Sequence, residues 1–217
     1  MKSSIFLLMY IVAYFQLHAQ NSGKVSLDIN YGFNGNFFVR SYDETDGPQN
    51  KTYLYKKNFL GTIGGIELKY HLNNNSSIIA GYARSTNKGE KNYSGTINGV
   101  DVFINNFNIR HNNDFYLLAY ERRFKKSTPA FTYHLGFVLA TMHQQEISIE
   151  NFANEIVLDE RNFKNSKLQE AGILGGVKFQ KKIDTKFELG ISIRGYYLIS
   201  AQTFEALTLT PTLTYRF

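Results

Sequence analysis

The side chains best suited to catalysis in this chain are its histidines. Four of them follow residue 20: His71, His111, His134 and His143. On one face of a β-strand, a Ser nucleophile and its His base are direct neighbours when they are two residues apart, and a carboxylate must orient the His. None of these histidines has a Ser two positions later, and none belongs to a set with metal-ligand spacing. We therefore expect no catalytic residues, no metal site and no cofactor.

A second set of reactive side chains consists of charged residues that alternate with apolar ones. This alternation places them on the polar face of β-strands. Buried charges are stable only when they are paired, so we expect these groups to form ion pairs inside the protein. A path for protons or ions along them is the alternative interpretation. The set comprises Asp28, Glu67, Lys69, Glu121, Arg123, Glu170, Lys178, Glu188, Arg194 and Arg216, and His134 shares their face.

Two of these ion pairs can be predicted residue by residue. A short turn centred near Ile183 would place Lys178 opposite Glu188 on the next strand. The same register would place Glu170 one diagonal step from Arg194, and long side chains reach partners at both separations. We predict that the pairs Lys178–Glu188 and Glu170–Arg194 close opposite ends of an enclosed interior.

Period-2 alternation of apolar and polar residues predicts the eight β-strands that carry these charges. Each is close to the ~9–11 residues that a tilted membrane-spanning strand requires. No apolar run reaches the ~18 residues of a transmembrane helix, and the high aromatic content of 15% suits a barrel in lipid instead. The predicted strands are 25–34, 60–72, 77–85, 115–124, 130–141, 171–179, 187–197 and 207–217.

The connections between these strands alternate in length. Short turns at one rim and long loops at the other are typical of barrels that span the outer membrane. With an even number of strands, both termini then lie at the rim with the short turns. The short connections are 73–76, 125–129 and 180–185, and the others are 42–58, 86–113, 142–167 and 200–205.

Two of the long loops contain strand signals of their own. Asn98-Gly99, between 93–97 and 100–104, is a strong signal for a two-residue hairpin turn. The segments 146–150 and 155–160 flank 151–154 in the same manner. We therefore predict a β-ribbon that protrudes from the barrel on the extracellular side. The acidic residues of the second pair are interpreted as a solvated face, because they lack the tight spacing of a Ca²⁺ loop.

The last strand carries the most specific signal. Residues 207–217 read LTLTPTLTYRF, with Leu213, Tyr215 and Phe217 on one face. This segment resembles the carboxy-terminal assembly signal of bacterial outer-membrane β-barrels, and the whole pattern resembles the small eight-stranded barrels of the OmpA/OmpX-like group. The resemblance implies insertion by the barrel-assembly machinery. Pro211 departs from the pattern, because it removes one hydrogen bond from the strand ladder.

The amino-terminal segment reads as a secretory signal peptide. Lys2 precedes an apolar run over 5–15, and Leu17-His18-Ala19 offers a cleavage site before Gln20. We assign 1–19 to the signal peptide and 20–217 to one outer-membrane β-barrel domain. The chain has no Cys, so disulfides and thiol chemistry are excluded.

Alternation alone does not separate a membrane barrel from a soluble one, because both have an apolar and a polar face. Aromatic residues near the strand ends favour the membrane, where they form interfacial girdles. These residues are Phe33, Tyr70, Phe124, Phe131, Phe187, Tyr215 and Phe217.

We therefore predict an all-β, eight-stranded, antiparallel up-and-down barrel in the bacterial outer membrane, as a monomer. Eight strands enclose only enough space for side chains, which argues against a wide pore. The function expected is a non-enzymatic surface barrel whose loops serve envelope structure or bind a partner or adhesive target. A narrow channel or subunit of an envelope machine is one alternative, and a lipid-modifying enzyme is another. The expected partners are outer-membrane lipid and lipopolysaccharide, and an unknown extracellular protein or glycan. Scattered basic residues, with a net charge of +6, argue against nucleic acid.

Overall fold

The computed structural model describes residues 24–36, 51–54, 59–97, 99–124, 130–144, 146–152, 155–161, 167–199 and 202–217. The signal peptide assigned to 1–19 and the turn predicted at 125–129 lie outside these residues. In the described part there is no helix long and apolar enough to cross a bilayer.

All regular elements in the described residues are β-strands. The aliphatic, aromatic and Thr-rich alternation of the sequence suits a pleated sheet with two different faces. The strands are β1 (Val25–Asn36), β2 (Lys51–Leu54), β3 (Phe59–Asn73), β4 (Ser76–Ile97), β5 (Val100–Phe124), β6 (Ala130–Gln144), β7 (Glu146–Phe152), β8 (Glu155–Arg161), β9 (Lys167–Lys182), β10 (Phe187–Leu198) and β11 (Thr203–Arg216).

Eight of these strands close into an antiparallel barrel, in the order β1-β11-β10-β9-β6-β5-β4-β3. Closure comes from β1, which pairs with β3 on one side and β11 on the other, so that Leu27 faces both Leu68 and Tyr215. Closure matters because a sheet without edges satisfies its own backbone hydrogen bonds. The predicted eight-stranded barrel is confirmed.

The two ends of the barrel differ, and we name them by their connections. The turn end carries the tight connections β3–β4 and β9–β10 and the carboxy-terminus. The loop end carries the hairpin β4–β5, in which the strands run past the barrel and pair as far as Ile97 and Val100. Gly99 at its tip has a φ of 80°, which glycine tolerates best.

The hairpin strands predicted at 93–97 and 100–104 are present, but they continue the barrel strands β4 and β5 without interruption. The second pair, β7 and β8, forms a separate three-stranded sheet with β2. In this sheet Lys51 faces Glu150 and Glu146 faces Arg161. The pattern analysis missed β2, because a four-residue strand is too short for its period to be read.

The β9–β10 hairpin has a different register from the predicted one. Glu188 faces Lys182, whereas the prediction placed it opposite Lys178. The turn is centred on Thr185 rather than near Ile183, and its backbone is closed by Ile183 N donating to Phe187 O at 2.9 Å. A shift of two residues in the turn centre moves every facing partner by four.

Candidate functional site

The interior of the barrel at the turn end and in the middle is a network of charged side chains. Each member occupies an inward position on its strand, between outward apolar neighbours. Lys178 on β9 illustrates the burial, with no exposed surface. The buried charged members in the described residues are Asp28, Glu67, Lys69, Glu121, Lys178, Glu188 and Arg194, and His134 lies among them.

One half of the network is centred on Asp28. Its Oδ2 lies 2.7 Å from Lys178 Nζ and 3.0 Å from Lys69 Nζ. Lys69 also donates to both oxygens of Glu121, at 2.9 and 2.7 Å. Lys178 donates a further hydrogen bond to Thr214 Oγ1 at 3.1 Å. Two ammonium groups are thus held by two carboxylates.

The other half is centred on Arg194. Its guanidinium forms a two-pronged contact with the Glu67 carboxylate, in which Nη2 donates to Oε2 at 2.9 Å. Its Nε donates to His134 Nε2 at 2.8 Å, so His134 is a neutral acceptor with its proton on Nδ1. Asn30 Nδ2 donates to Glu67 Oε1 at 3.0 Å. Bidentate pairing of this type fixes geometry as well as charge.

The two halves together contain three carboxylates and three cationic side chains, so the middle of the lumen has no net charge. Charge balance is what a buried network requires, because one unpaired ion in a low-dielectric interior is strongly destabilising. Closer to the turn end, Arg216 Nη2 lies 2.8 Å from Glu188 Oε1. At the same end, His71 contacts Ser26 Oγ at 3.0 Å and Ser77 Oγ at 2.8 Å.

The structure brings neither predicted ion pair together. Lys178 contacts Asp28, Glu188 contacts Arg216, and Arg194 contacts Glu67. The predicted pairs are wrong because the register of β9 and β10 is shifted. Lys178 and Arg194 instead reach partners on strands that are not their neighbours, and Glu188 pairs with Arg216 on the adjacent strand β11. Glu170 Oε2 is buried without a hydrogen-bond partner among the described residues.

The remaining sequence-predicted residues are distributed as follows. Glu67, Lys69, Glu121 and His134 lie in the network. Arg123 is partly exposed near the turn end, where its backbone N donates to Asn75 O at 2.8 Å.

An apolar layer separates this network from the loop end of the lumen. Its centre is Phe115, whose ring stacks on Tyr196 with 4.7 Å between centroids. On β5, Phe115 lies between Glu121, a member of the network, and Asn113 nearer the loop end. Leu174, Leu198 and Ala206 belong to the same buried apolar cluster. Packed rings and aliphatic side chains therefore lie on the loop-end side of the charged network.

The outer surface of the barrel is apolar. Every barrel strand exposes large hydrophobic side chains or, in β4, one such side chain, with Phe137 reaching 71% exposure, while the charged network lies inside. A soluble barrel would bury its apolar face and show its charges to water. This inside-out arrangement is stable only in lipid. The chain is a transmembrane β-barrel of the outer-membrane type.

Aromatic side chains form a band around this barrel at the turn end. Phe131 contacts Phe124 and Phe179, with centroid distances of 5.4 and 4.6 Å. Tyr215 contacts Phe187 and Phe217, each at 5.2 Å. Such girdles mark the level of the lipid headgroups. The predicted assembly-signal residues Tyr215 and Phe217 belong to this band, and Leu213 faces outward beside it.

Comparisons with known proteins give matches among solved structures alone. No family model matches the chain, and no curated protein matches it in sequence. Neisserial surface protein A is 10% identical, over 90% of this chain and 99% of its own, with a TM-score of 0.46. Ail of Yersinia pestis, solved with the heparin analogue sucrose octasulfate, is 15% identical over 89% and 99%, with a TM-score of 0.42. The barrel domain of Pseudomonas aeruginosa OprF is 12% identical over 90% and 99%, with a TM-score of 0.42. The assignment to the outer-membrane type rests on the inside-out barrel itself.

Pattern reasoning from the sequence missed one group of residues at the loop end of the lumen. Asn34, Asn36, Asn87 and Asn113 surround Glu205, and all five are buried. The sequence prediction assigns Glu205 to the connection 200–205, whereas in the structure Glu205 belongs to β11 and is the residue that the register shift at Tyr196/Tyr197 leaves unpaired. Asn34 alone of these amides lies within a predicted strand, so its position on the polar face is the signal that the sequence offers.

Proposed function

We propose that the protein is a non-enzymatic barrel of the bacterial outer membrane whose extracellular strands bind a partner. The observation that carries this proposal is the combination of a filled lumen with a hairpin that extends well past the barrel. Transport requires a continuous polar path, and here the apolar layer around Phe115 and Tyr196 interrupts it. The strands that extend beyond the barrel are therefore the part of the protein to which we assign the function.

The orientation of the barrel follows from its connections. In outer-membrane barrels short turns face the periplasm and long loops face the exterior. The turn end therefore faces the periplasm, together with the carboxy-terminal Phe217. The hairpin β4–β5 and the sheet β2-β7-β8 then lie on the cell surface.

The hairpin offers two features that suit binding. Among the described residues its strands beyond Lys88 and Arg110 pair only with each other, so their outer backbone edges offer a place where an extended polypeptide can add as a further strand. Phe103 near the tip is 72% exposed, and buried aromatic anchors are typical hot spots of interfaces. We infer that the partner is a protein segment in extended conformation.

A hairpin replacement tests this function. A variant in which 92–106 are replaced by a two-residue turn should insert normally, because every barrel pair of β4 and β5 below that level is retained. Adhesion of cells that display each form to immobilised extracellular-matrix proteins should fall to background for the shortened form. A variant with Phe137→Leu, on the lipid-facing wall, serves as the control. Equal adhesion by all three proteins would refute the proposal.

Conductance separates this function from a channel. The purified full-length barrel in planar bilayers should show no defined openings, because its lumen is packed. Regular unitary currents from the wild-type protein would favour the channel alternative instead.

A further inference from the structure

Pro211, the residue that departs from the pattern of the last strand, changes the shape of the lipid-facing wall. From the turn end, the paired residues of β1 and β11 run as far as Asn30 and Thr212. The pairing resumes at Phe33 and Leu209. Proline has no N–H to donate across this gap. A groove of about 650 Å³ lies over the interrupted ladder, and its size falls within the ~300–1,000 Å³ of small-molecule sites.

The groove extends across four neighbouring strands, from β9 through β10 and β11 to β1. Facing residues place Phe179, Ile191 and Pro211 in one row across β9, β10 and β11. The next row toward the turn end contains Leu189 and Leu213. All of these side chains are exposed on the outer wall. The apolar lining includes Tyr31, Phe179, Leu189, Ile191, Pro211 and Leu213.

Two lysines lie at the turn end of the groove. Lys181 is the charged residue of the lining and lies two positions beyond Phe179 on β9. Lys186 Nζ lies 6.0 Å from the centre of the Tyr215 ring, and Tyr215 is the next outward residue after Leu213 on β11. Tyr215 belongs to the aromatic band that marks the level of the lipid headgroups. The apolar groove thus ends in positive charge at that level.

The carboxylates of the β9–β10 hairpin do not neutralise these lysines. Asp184 Oδ1 accepts a hydrogen bond from Thr185 N at 2.6 Å, and Glu188 points into the lumen, where Oε1 lies 2.8 Å from Arg216 Nη2. Within the residues that the structure describes, Lys181 and Lys186 form no ion pair. Both ammonium groups are therefore available to an anion from the membrane.

We propose that the groove over Pro211 binds one anionic phospholipid of the periplasmic leaflet. The part of an acyl chain nearest the headgroup lies along the apolar lining, and the phosphate contacts Lys181 and Lys186. The ammonium group of Lys binds phosphate as a point charge. The choice of leaflet rests on the orientation given under the proposed function, which places the turn end in the periplasm. Lipopolysaccharide belongs to the opposite leaflet and would lie at the loop end.

A single introduced Trp can report on the lipid beside it, because the chain has no Trp of its own. Phe179→Trp places the reporter in the groove, and Phe137→Trp places it on the outer wall away from the groove. Each full-length protein is reconstituted in vesicles of phosphatidylglycerol and phosphatidylcholine, with bromine on one lipid or the other to quench fluorescence. We expect phosphatidylglycerol to be favoured about fivefold at the Phe179→Trp reporter, and neither lipid to be favoured at Phe137→Trp.

The lysines provide matched variants of the Phe179→Trp protein. Lys181→Gln together with Lys186→Gln should abolish the preference for phosphatidylglycerol. Lys182→Gln removes a charge from the same hairpin but not from the lining, so it should keep the preference. Equal quenching by the two lipids at Phe179→Trp, the same preference at Phe137→Trp, or loss of the preference in Lys182→Gln would overturn the proposal.

Native mass spectrometry supplies a readout without a reporter. The wild-type barrel in mild detergent, mixed with equal amounts of phosphatidylglycerol, phosphatidylcholine and lipid A, should retain one phosphatidylglycerol. Pro211→Leu, whose side chain fills the groove, should retain less. Retention of lipid A or phosphatidylcholine instead, or of no lipid, would overturn the proposal. Neither experiment measures adhesion, so this proposal and the binding function of the hairpin can fail separately.

Discussion

Arg194 on β10 reaches across the lumen to Glu67 on β3, 127 positions earlier in the sequence, and donates a hydrogen bond from Nη2 to Oε2 at 2.9 Å. This contact joins two strands that are separated by β1 and β11 around the barrel wall. The contact therefore links the two strands through the lumen, in addition to the backbone hydrogen bonds that join neighbouring strands around the wall.

Removing the Arg194 side chain should strand the Glu67 carboxylate. We expect Arg194→Ala to lower the free energy of unfolding by about 3–5 kcal/mol, the usual cost of breaking a buried ion pair. Chemical denaturation of the refolded protein in detergent measures this change.

The double variant identifies the partner of Arg194. Arg194→Ala with Glu67→Gln should recover part of the lost stability, whereas Arg194→Ala with Glu170→Gln should recover none. Recovery of stability with Glu170→Gln, but not with Glu67→Gln, would support the register predicted from the sequence and contradict the observed one.

Two adjacent glycines on β9 provide a matched test of the interior packing. A Cβ on Gly176 would lie 2.3 Å from Ile193 O and 2.6 Å from His134 Nε2, whereas a Cβ on Gly175 would meet nothing closer than 3.7 Å. Gly176→Ala should therefore destabilise the barrel and displace the Arg194–His134 contact, while Gly175→Ala should be close to neutral. The Tm values of the two variants test this expectation. Equal Tm values would mean that side chains around Gly176 are packed less tightly than the structure shows.

Phe115 should hold the apolar layer of the lumen together. Phe115→Ala removes the ring that stacks on Tyr196, and such truncations cost about 3–5 kcal/mol when the cavity does not collapse. The space left by the ring should also admit water and ions. We expect small, irregular currents in planar bilayers from this variant; a silent Phe115→Ala protein would place the barrier to ions in the charged network instead.

The carboxy-terminal aromatic residue should matter for assembly more than for the finished fold. Deletion of Phe217, or Phe217→Asp, should reduce the amount of protein in the outer membrane while secretion across the inner membrane continues. The folded fraction can be measured as the band that migrates faster in SDS gels when the sample is not boiled. Phe33→Leu, at an outward position on the first strand, is a suitable control, and wild-type yields from both Phe217 variants would exclude an assembly signal here.

The strands and their two faces could be predicted from the sequence because each depends on local alternation. Tyr116, Leu118 and Tyr120 face lipid as their spacing requires. The partner of each charge could not be predicted in this way, because Asp28 and Lys178 are 150 positions apart and meet through the curvature of the barrel. The register of the β9–β10 hairpin was predicted wrongly because the alternation of residues does not reveal which residue of 183–186 lies at the centre of the turn.

The buried amides around Glu205 escaped prediction for a different reason. Asn113 and Glu205 lie in the predicted connections 86–113 and 200–205, and in the structure Glu205 is the residue of β11 that a register shift leaves unpaired. Their contacts with one another are visible only once the strands are assembled.

The pairing of β1 with β11 sets the order of events during biogenesis. Ser26 faces Arg216, so the ladder that seals the cylinder joins one of the earliest strands to leave the ribosome to the last. Until β11 has been synthesised and delivered, β1 and β10 each present an unpaired edge that invites aggregation in the aqueous periplasm. Contacts between such distant residues also form slowly. A chain that stops before residue 203 lacks the strand that pairs with both β1 and β10, so we expect it to remain an open sheet that is prone to aggregate.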